Sequence, residues 1–517
     1  MISADEKRIS LLAIDDVSIP FTHNLRLEVN RPVKHPDNPV LAPGTGDMPD
    51  SYAAQFYGSV IEDEGKFRAW YVAMPREFLD EPDSFKHLRP AYAESEDGIH
   101  WTKPELGLVE YKGSKKNNLV LMEDGAFNMI NLKVLIDEEE PDPARRYKMT
   151  AQTRWATQKE NEAGGFQERG WGTLAPFVSA DGLTWRLAID AKPDGGLLPK
   201  ADMLLPEHHF EAAGGLYKWN GVFYASGQSG GGLGNWNYTH GVRPYSGREV
   251  MMHRSADFSH WSKTSHLGFI RHHQHEKFPY GKGEESHEGV SVWNRGNVLI
   301  GIYGIWHGGP DWEDIAVDVG LLISNDGLKF REPAHEHTFI ERGADGTWDQ
   351  RALLQGQGFA NVGDETRIYY GAWSPGDTTN PKRGGIGMAV LPRDRFGSLK
   401  MQNAEGAAEL VTAAFSVGPE TGISINASGL GTEAWLRIEL LDEMEQLIPG
   451  FSGKEAIRFG QSGFSESASW GRPLPAGLSL ARCRGTFEGN SRHGIALHAI
   501  YIDGKGTPDS SSGRKLD

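Results

Sequence analysis

The sequence holds a single cysteine, Cys483, in 517 residues. One thiol excludes an internal disulfide framework and any multi-cysteine zinc or iron–sulfur centre. Long apolar runs are missing too: no stretch of about 18 apolar residues occurs, so no membrane span is expected. Positive charge is in deficit, with 53 Lys and Arg against 70 Asp and Glu, a net charge of −17. Such a surface repels phosphate backbones and anionic lipid, so neither nucleic acid nor a membrane is an expected partner. The opening, MISADEKRISLLAIDDVS, lacks the apolar core of a secretory signal, which predicts a cytoplasmic location. Helical periodicity is scarce, and only short candidates such as Pro75 to Asp80 are found.

What is abundant is turn-forming and aromatic: 64 Gly, 28 Pro, 15 Trp, 15 Tyr and 22 Phe. That mixture suits an all-β chain of short strands. Self-similarity decides the architecture. AYAESEDGIHW, TLAPFVSADGLTW, EVMMHRSADFSHW, DVGLLISNDGLKF and the weaker GIGMAVLPRDRFGSL each run from a strand into a polar turn and then an apolar residue. Their turn aspartates, Asp97, Asp181, Asp257, Asp326 and Asp394, recur every 68 to 84 residues. A second series runs in phase, with strands starting at Lys66, Arg146, Val222, Asn297 and Thr366. Five copies of a unit of about four strands predict a five-bladed β-propeller, closed by radial repetition. The turn aspartates are read as accepting hydrogen bonds from their own turns, with no part in catalysis.

Past Lys400 the pattern changes to short strands, GISINA, WLRIELLD and ALHAIYID, which predict a β-sandwich. The division expected is an extension over 1–30, the propeller over 31–400, the sandwich over 401–505 and a disordered tail over 506–517.

In a propeller the first strand of each blade lines the central channel. Counting back about eight to ten residues from each hairpin turn, with a tolerance of two to four, gives the channel residues. Blade one supplies Gln55 and Tyr57; blade two, Asn128 and Asn131; blade three, His209 and Glu211. Blade four supplies His287 and Glu288, and blade five Gln355 and Gln357, with Asp349 and Arg351 just upstream. Asp50 lies on the approach to blade one. Two carboxylates on adjacent blades, Glu211 and Glu288, fit the pair that glycosidic cleavage needs, one acid and one base or nucleophile. Asp349 is a third candidate. Amides and histidines suit sugar hydroxyls, and Trp155, Trp236 and Trp306, the last followed by His307, suit stacking on sugar rings. The competing reading satisfies both glutamates by channel salt bridges.

The loop from Arg271 to Glu288 carries His272, His273 and His275. Their spacing is no helical i, i+4 pair, so a substrate contact or a solvated loop is favoured over a metal site. The glycine-rich stretch Gly227 to Gly241 matches neither a phosphate-cradling loop nor a dinucleotide fingerprint, and no cofactor is expected.

The whole arrangement resembles the invertase, levanase and inulinase superfamily of glycoside hydrolases, with the arabinanase–xylosidase propellers as cousins. The resemblance rests on the blade phrases, on HPDNPVL at His35 to Leu41 and on LRIELLDEMEQLIPGFS. It implies a five-bladed catalytic propeller with a C-terminal β-sandwich, sugar chemistry and a carbohydrate substrate. The family's first-blade nucleophile phrase, Trp-Met-Asn-Asp-Pro, has no counterpart, because SYAAQFYGSV holds no acid. Glu288 stands near the place of the family's acid but is followed by Gly289 where the family has cysteine. These departures shift the expectation to an inverting mechanism, with Glu288 as general acid and Glu211 or Asp349 as base. A glycoside phosphorylase, with Arg351 and the histidine loop holding phosphate, and a non-catalytic sugar-binding propeller are the alternatives.

Overall fold

The computed structural model describes residues 8–79, 87–123, 129–153, 173–189, 211–230, 248–262, 266–271, 285–307, 316–335, 337–373 and 384–503. These residues are all-β, with three-residue and four-residue 3-10 turns as the only helical pieces among them. Five inner strands come first in the five blades: Ala53–Asp63, Met129–Ile136, Glu211–Trp219, Glu285–Asn294 and Gln357–Val362. Each packs against the next, and the fifth returns to pair in parallel with the first, through Gln357 opposite Ser59. The ring is therefore closed.

The second strands, Lys66–Met74, Tyr147–Thr153, Val222–Gly230, Leu299–His307 and Glu365–Trp373, sit where the repeat puts them, to within two residues. Local chemistry explains the hairpins. Glu64 and Gly65 both have positive φ between paired Asp63 and Lys66, as do Asn220 and Gly221 between Trp219 and Val222. Two left-handed residues match the right-handed twist of the flanking strands. The outer strand of blade five is Val33–Lys34, from far upstream, paired antiparallel with Ile386–Pro392. The last blade is thus sealed by the start of the chain.

Aromatic side chains fill the wedges between blades. Trp70 and Tyr92 of blade one pack with Val134, Met149 and Trp185 of blade two, all buried. Three of the wedges are also pinned by hydrogen bonds to the polar turns. Tyr369 Oη donates to Gly98 O at 2.9 Å, Trp70 Nε1 to Gly182 O at 2.7 Å, and Tyr217 Oη to Gly327 O at 2.7 Å. Within those turns, Oδ1 of Asp97, Asp181, Asp257 and Asp326 accepts from the backbone N–H groups two and three residues on.

Asp394 departs from the expected turn. Its carboxylate is buried and accepts from Arg295 at 2.7 and 3.2 Å, from Asn361 at 3.0 Å and from Tyr501 at 2.8 Å. The fifth repeat faces the sandwich, so its aspartate ties blades four and five to that domain. Burial opposes the charge, but Arg295, Asn361 and Tyr501 hold the Asp394 carboxyl below the usual carboxylate range.

The sandwich has two sheets around one apolar core. One runs Leu25–Val29, Gly397–Met401, Ala496–Asp503, Gly422–Ser428, Gly463–Ala468, with Arg8–Leu12 added to Ala496–Asp503. The other runs Phe21–His23, Glu409–Val411, Leu480–Glu488, Trp435–Leu441, Ile457–Phe459. Leu480–Glu488 alternates strictly between buried and half-buried, the mark of a strand with one face on a core. Three strands of the N-terminal segment thus belong to the sandwich sheets. The tail from 504 onward lies outside the described residues.

Candidate functional site

The inner strands are interrupted at one level of the ring. In blade one the register shifts between Gln55 and Ser59, in blade three between Glu211 and Gly215, and in blade four between His287 and Val290. Blade two shifts beside Met129, between Gln152 and Thr153 of its partner. Blade five breaks between Leu354, opposite Gly371, and Phe359, opposite Ile368. Extra residues in one strand of a pair re-aim side chains. Repeated around the ring, the bulges form a collar of irregular backbone.

Glu288 sits inside the blade-four bulge with φ +59, next to Gly289 with φ +80. A left-handed non-glycine residue costs roughly 1–2 kcal/mol. The surroundings enforce it. Glu288 N donates to Gln228 Oε1 at 3.1 Å, and Gln355 Nε2 donates to the carbonyls of His287 and, at 3.2 Å, Gly289. A Cβ on Gly289 would lie 2.7 Å from Gly227 Cα, so only glycine allows the two blades this close approach. Glu288 itself is half-buried.

Beneath the collar the axis is filled. Lys133 of blade two is fully buried, and its Nζ reaches Gly58 O of blade one at 3.3 Å and Gln355 O at 3.5 Å. It lies 5.9 Å from the centre of the Tyr57 ring. Burial pushes the Lys133 ammonium well down, and the charge of Glu288 acts against that. Ser291 Oγ donates to Gly214 O at 2.6 Å and Gln355 O at 3.0 Å. Gln357 accepts from Leu216 N at 2.9 Å and donates to Leu216 O at 2.7 Å. Lys133 and Gln357 thus reach across to non-adjacent blades, and Ser291 joins the two blades beside its own.

The structure brings several expected channel residues together and separates others. Tyr57 Oη is 3.1 Å from His287 Nε2, and the His287 ring centre is 5.0 Å from that of buried Trp306. Asn131 Nδ2 donates to Gln152 Oε1. Asn131 Oδ1, Gln152 Nε2, Gln355 Oε1 and Gln55 Oε1 are buried atoms with no hydrogen-bond partner among the described residues. Gln357 spends both ends of its amide on Leu216. His307 lies 3.0 Å from Asp318, which Arg342 also meets at 2.9 Å. Burial raises the Asp318 pKa, but His307 and Arg342 hold it below the ordinary value. Arg351 is exposed, and its backbone O accepts from Val317.

Asp50 and Asp349 share one arrangement. Asp50 Oδ2 accepts from Tyr71 Oη at 2.8 Å and from Lys103; Asp349 Oδ2 accepts from Tyr370 Oη at 3.1 Å and Lys34 Nζ at 2.5 Å. Blade four builds the same trio from Tyr303, Glu332 and Arg271. The same trio of tyrosine, acid and cation thus recurs in three blades.

The register offsets Glu211 from Glu288. Glu211 pairs with Gln228 as the last residue before its bulge, the place His287 holds opposite Gly304 in blade four. The Glu211 side chain, His209, Asn128, Trp155, Trp236 and His272 to His275 lie outside the described residues, as does most of the stretch to Gly241. Among the described residues no group of three or more His, Cys, Asp or Glu is placed to hold a metal. None of their helices is long and apolar enough to cross a membrane. Lys133, Gln152 and Ser291 escaped the reading of the sequence. The signal for Lys133 was available: a lysine at an inward position of the apolar strand MINLKVLI is seldom buried without a partner.

The chain matches no known family profile and no curated protein. Among solved structures it is similar to an N-acetylgalactosamine deacetylase from F. plautii in complex with blood group B trisaccharide. That match has 17% identity over 72% of this chain and 96% of the other, with a TM-score of 0.41. A glycosyl hydrolase from Bacteroides ovatus shows 15% identity over 71% and 94%, TM-score 0.38. A glycoside hydrolase family 43 arabinoxylan arabinofuranohydrolase from Bacillus subtilis, in complex with cellotetraose, shows 10% identity over 92% and 99%, TM-score 0.38.

Proposed function

We propose that the protein is a glycoside hydrolase that cleaves a small oligosaccharide or glycoside at the bulge collar, with Glu288 and Glu211 as its carboxylates. One observation carries this reading: Glu288 is held in a left-handed bulge, at an energetic cost, in the ring of inner strands. Strained backbone persists where surrounding contacts over-determine it, and such positions cluster at functional sites. The inner part of the ring also carries groups of the kind that bind sugar hydroxyls: the Tyr57–His287 pair, and amides of Gln55, Asn131, Gln152 and Gln355 with unused donor or acceptor capacity. Asp349, tied to Lys34 and Tyr370, is left to the scaffold, and the second carboxylate is assigned to Glu211. An inverting outcome is expected, with the carboxyl groups about 6.5–9.5 Å apart rather than about 5–5.5 Å.

The test is release of sugar from a panel of aryl glycosides and natural oligosaccharides, with and without phosphate, by wild type, Glu288→Gln and Glu211→Gln. Phosphate-independent hydrolysis lost in both variants supports the proposal. Strict phosphate dependence converts it to a phosphorylase. Sugar binding with no turnover on any substrate leaves a non-catalytic lectin-like propeller.

A further inference from the structure

Trp306, the described ring that the sequence offers for stacking on a sugar, is only 2% exposed, which leaves a ligand no face to meet. The repeat supplies its counterpart. Blades four and five end their second strands alike, with Tyr303-Gly304-Ile305-Trp306 and Tyr370-Gly371-Ala372-Trp373. The two tyrosines hold the same place, each donating to the acid of its own trio, Glu332 or Asp349. Trp373 therefore stands one blade on from Trp306, and it is half-buried where Trp306 is sealed. The ladders fix its height. Trp306 pairs with Glu285, and Trp373 with Ala352. Both indoles thus lie at the end of the propeller where the inner strands begin, the end that carries the bulges.

Contacts join Trp373 to the site. It packs on Trp306, Val317 and Ala352, and also on Tyr57 and Leu354. Tyr57 and Trp306 in turn meet His287, at 3.1 Å between Oη and Nε2 and at 5.0 Å between ring centres. His287 directly precedes Glu288. Tyr57, His287, Trp306 and Trp373 form one aromatic patch across blades one, four and five. The first three are buried, and Trp373 is the member that keeps part of its ring in solvent.

We propose that Trp373 is the platform on which a pyranose ring of the substrate stacks at the collar. This rests on the glycoside hydrolase reading and adds to it the residue that orients the sugar. A pyranose ring is apolar across the face that carries its C–H groups and polar around its rim. A broad, flat indole complements that face, and its two side-chain torsions lose little freedom on contact. Packing on Trp306, Tyr57 and Leu354 holds the indole in place before a ligand arrives, so little ordering accompanies binding. The ligand class selected is a glycoside whose pyranose presents an open C–H face.

Two measurements decide it, and the first needs neither a variant nor turnover. Hydroxyl-radical footprinting of the wild-type protein, read by peptide mass spectrometry, follows oxidation of Trp373 with and without the aryl glycoside or oligosaccharide of the panel that binds most tightly. We expect the sugar to protect Trp373 and to leave Trp435, a half-buried indole of the sandwich, unchanged. Equal oxidation of Trp373 with and without bound sugar overturns the proposal. The second is the calorimetric affinity for the same sugar in wild type, Trp373→Phe and Trp373→Ala. Trp373→Ala should weaken binding about tenfold or more, with Trp373→Phe between the two. Where the glycoside is turned over, the loss should appear in KM rather than kcat. Unchanged affinity in a folded Trp373→Ala protein overturns the proposal, and the footprint decides alone where that variant does not fold. A sugar that protects Trp373 and is never cleaved supports the platform and ends the hydrolase reading. A panel in which no sugar binds overturns both.

Discussion

At the scale of single residues, the site separates groups that hold the fold from groups left to do chemistry. Gln357 belongs to the first kind. Its amide closes both a donor and an acceptor on Leu216. Gln357→Ala leaves two buried backbone groups unpaired, at about 1–3 kcal/mol each. We expect a lower thermal midpoint, with kcat/KM per folded molecule little changed. Glu288 is proposed as one of the second kind. Glu288→Gln keeps the shape and the backbone bond to Gln228, so the midpoint stays within a few degrees while turnover falls about 10²–10⁴-fold. The sequence marked Tyr57, His287 and Glu288 as channel candidates because polar and aromatic residues in inner strands converge on the axis wherever the strands fall. It did not separate Gln357 from them, because nothing in GQGFANV shows that its amide meets the backbone of blade three. It missed Lys133, although the apolar strand MINLKVLI puts that lysine at an inward position.

At the scale of elements, the bulge in each inner strand explains why strand spacing was legible and side-chain register was not. The hairpins at Glu64–Gly65 and Asn220–Gly221 announce themselves through turn residues. A two-residue insertion such as Glu288–Gly289 does not, and it moves every side chain upstream by that amount. Glu211 is the last paired residue before its bulge, whereas Glu288 is the first residue inside its own. Gly289→Ala tests the bulge itself. A Cβ there meets Gly227 Cα at 2.7 Å on a backbone at φ +80. We expect a loss of about 1–3 kcal/mol together with a loss of activity out of proportion to it. Normal activity in a destabilised Gly289→Ala protein would show that the left-handed turn does not position Glu288.

At the scale of the whole molecule, the propeller and sandwich share buried charge. Arg295 from blade four, Asp394 at the end of blade five and Tyr501 from the sandwich form one network. The Asp394 carboxyl is held below the ordinary range in the folded state. Its contribution is therefore present above the unfolded carboxylate pKa of about 3.9 and is lost as pH falls further. Unfolding free energy should decline steeply below about pH 4, and Asp394→Asn should flatten that slope. An unchanged slope in the variant would remove the network from the acid response. Five blades and a sandwich were legible because repeats announce themselves in sequence. The recruitment of Arg8–Leu12, Phe21–His23 and Leu25–Val29 into the sandwich was not, since short strands carry no label for a partner more than 350 residues away.

If Glu288, bent into the collar, carries out glycosidic cleavage, removing its charge stops sugar release. The most direct measurement is the initial rate of reducing-sugar release from the best glycoside of the panel, wild type beside Glu288→Gln, at equal concentrations of folded protein. We expect a Glu288→Gln rate at least about 10²-fold below wild type, with sugar binding retained. Equal rates would contradict it.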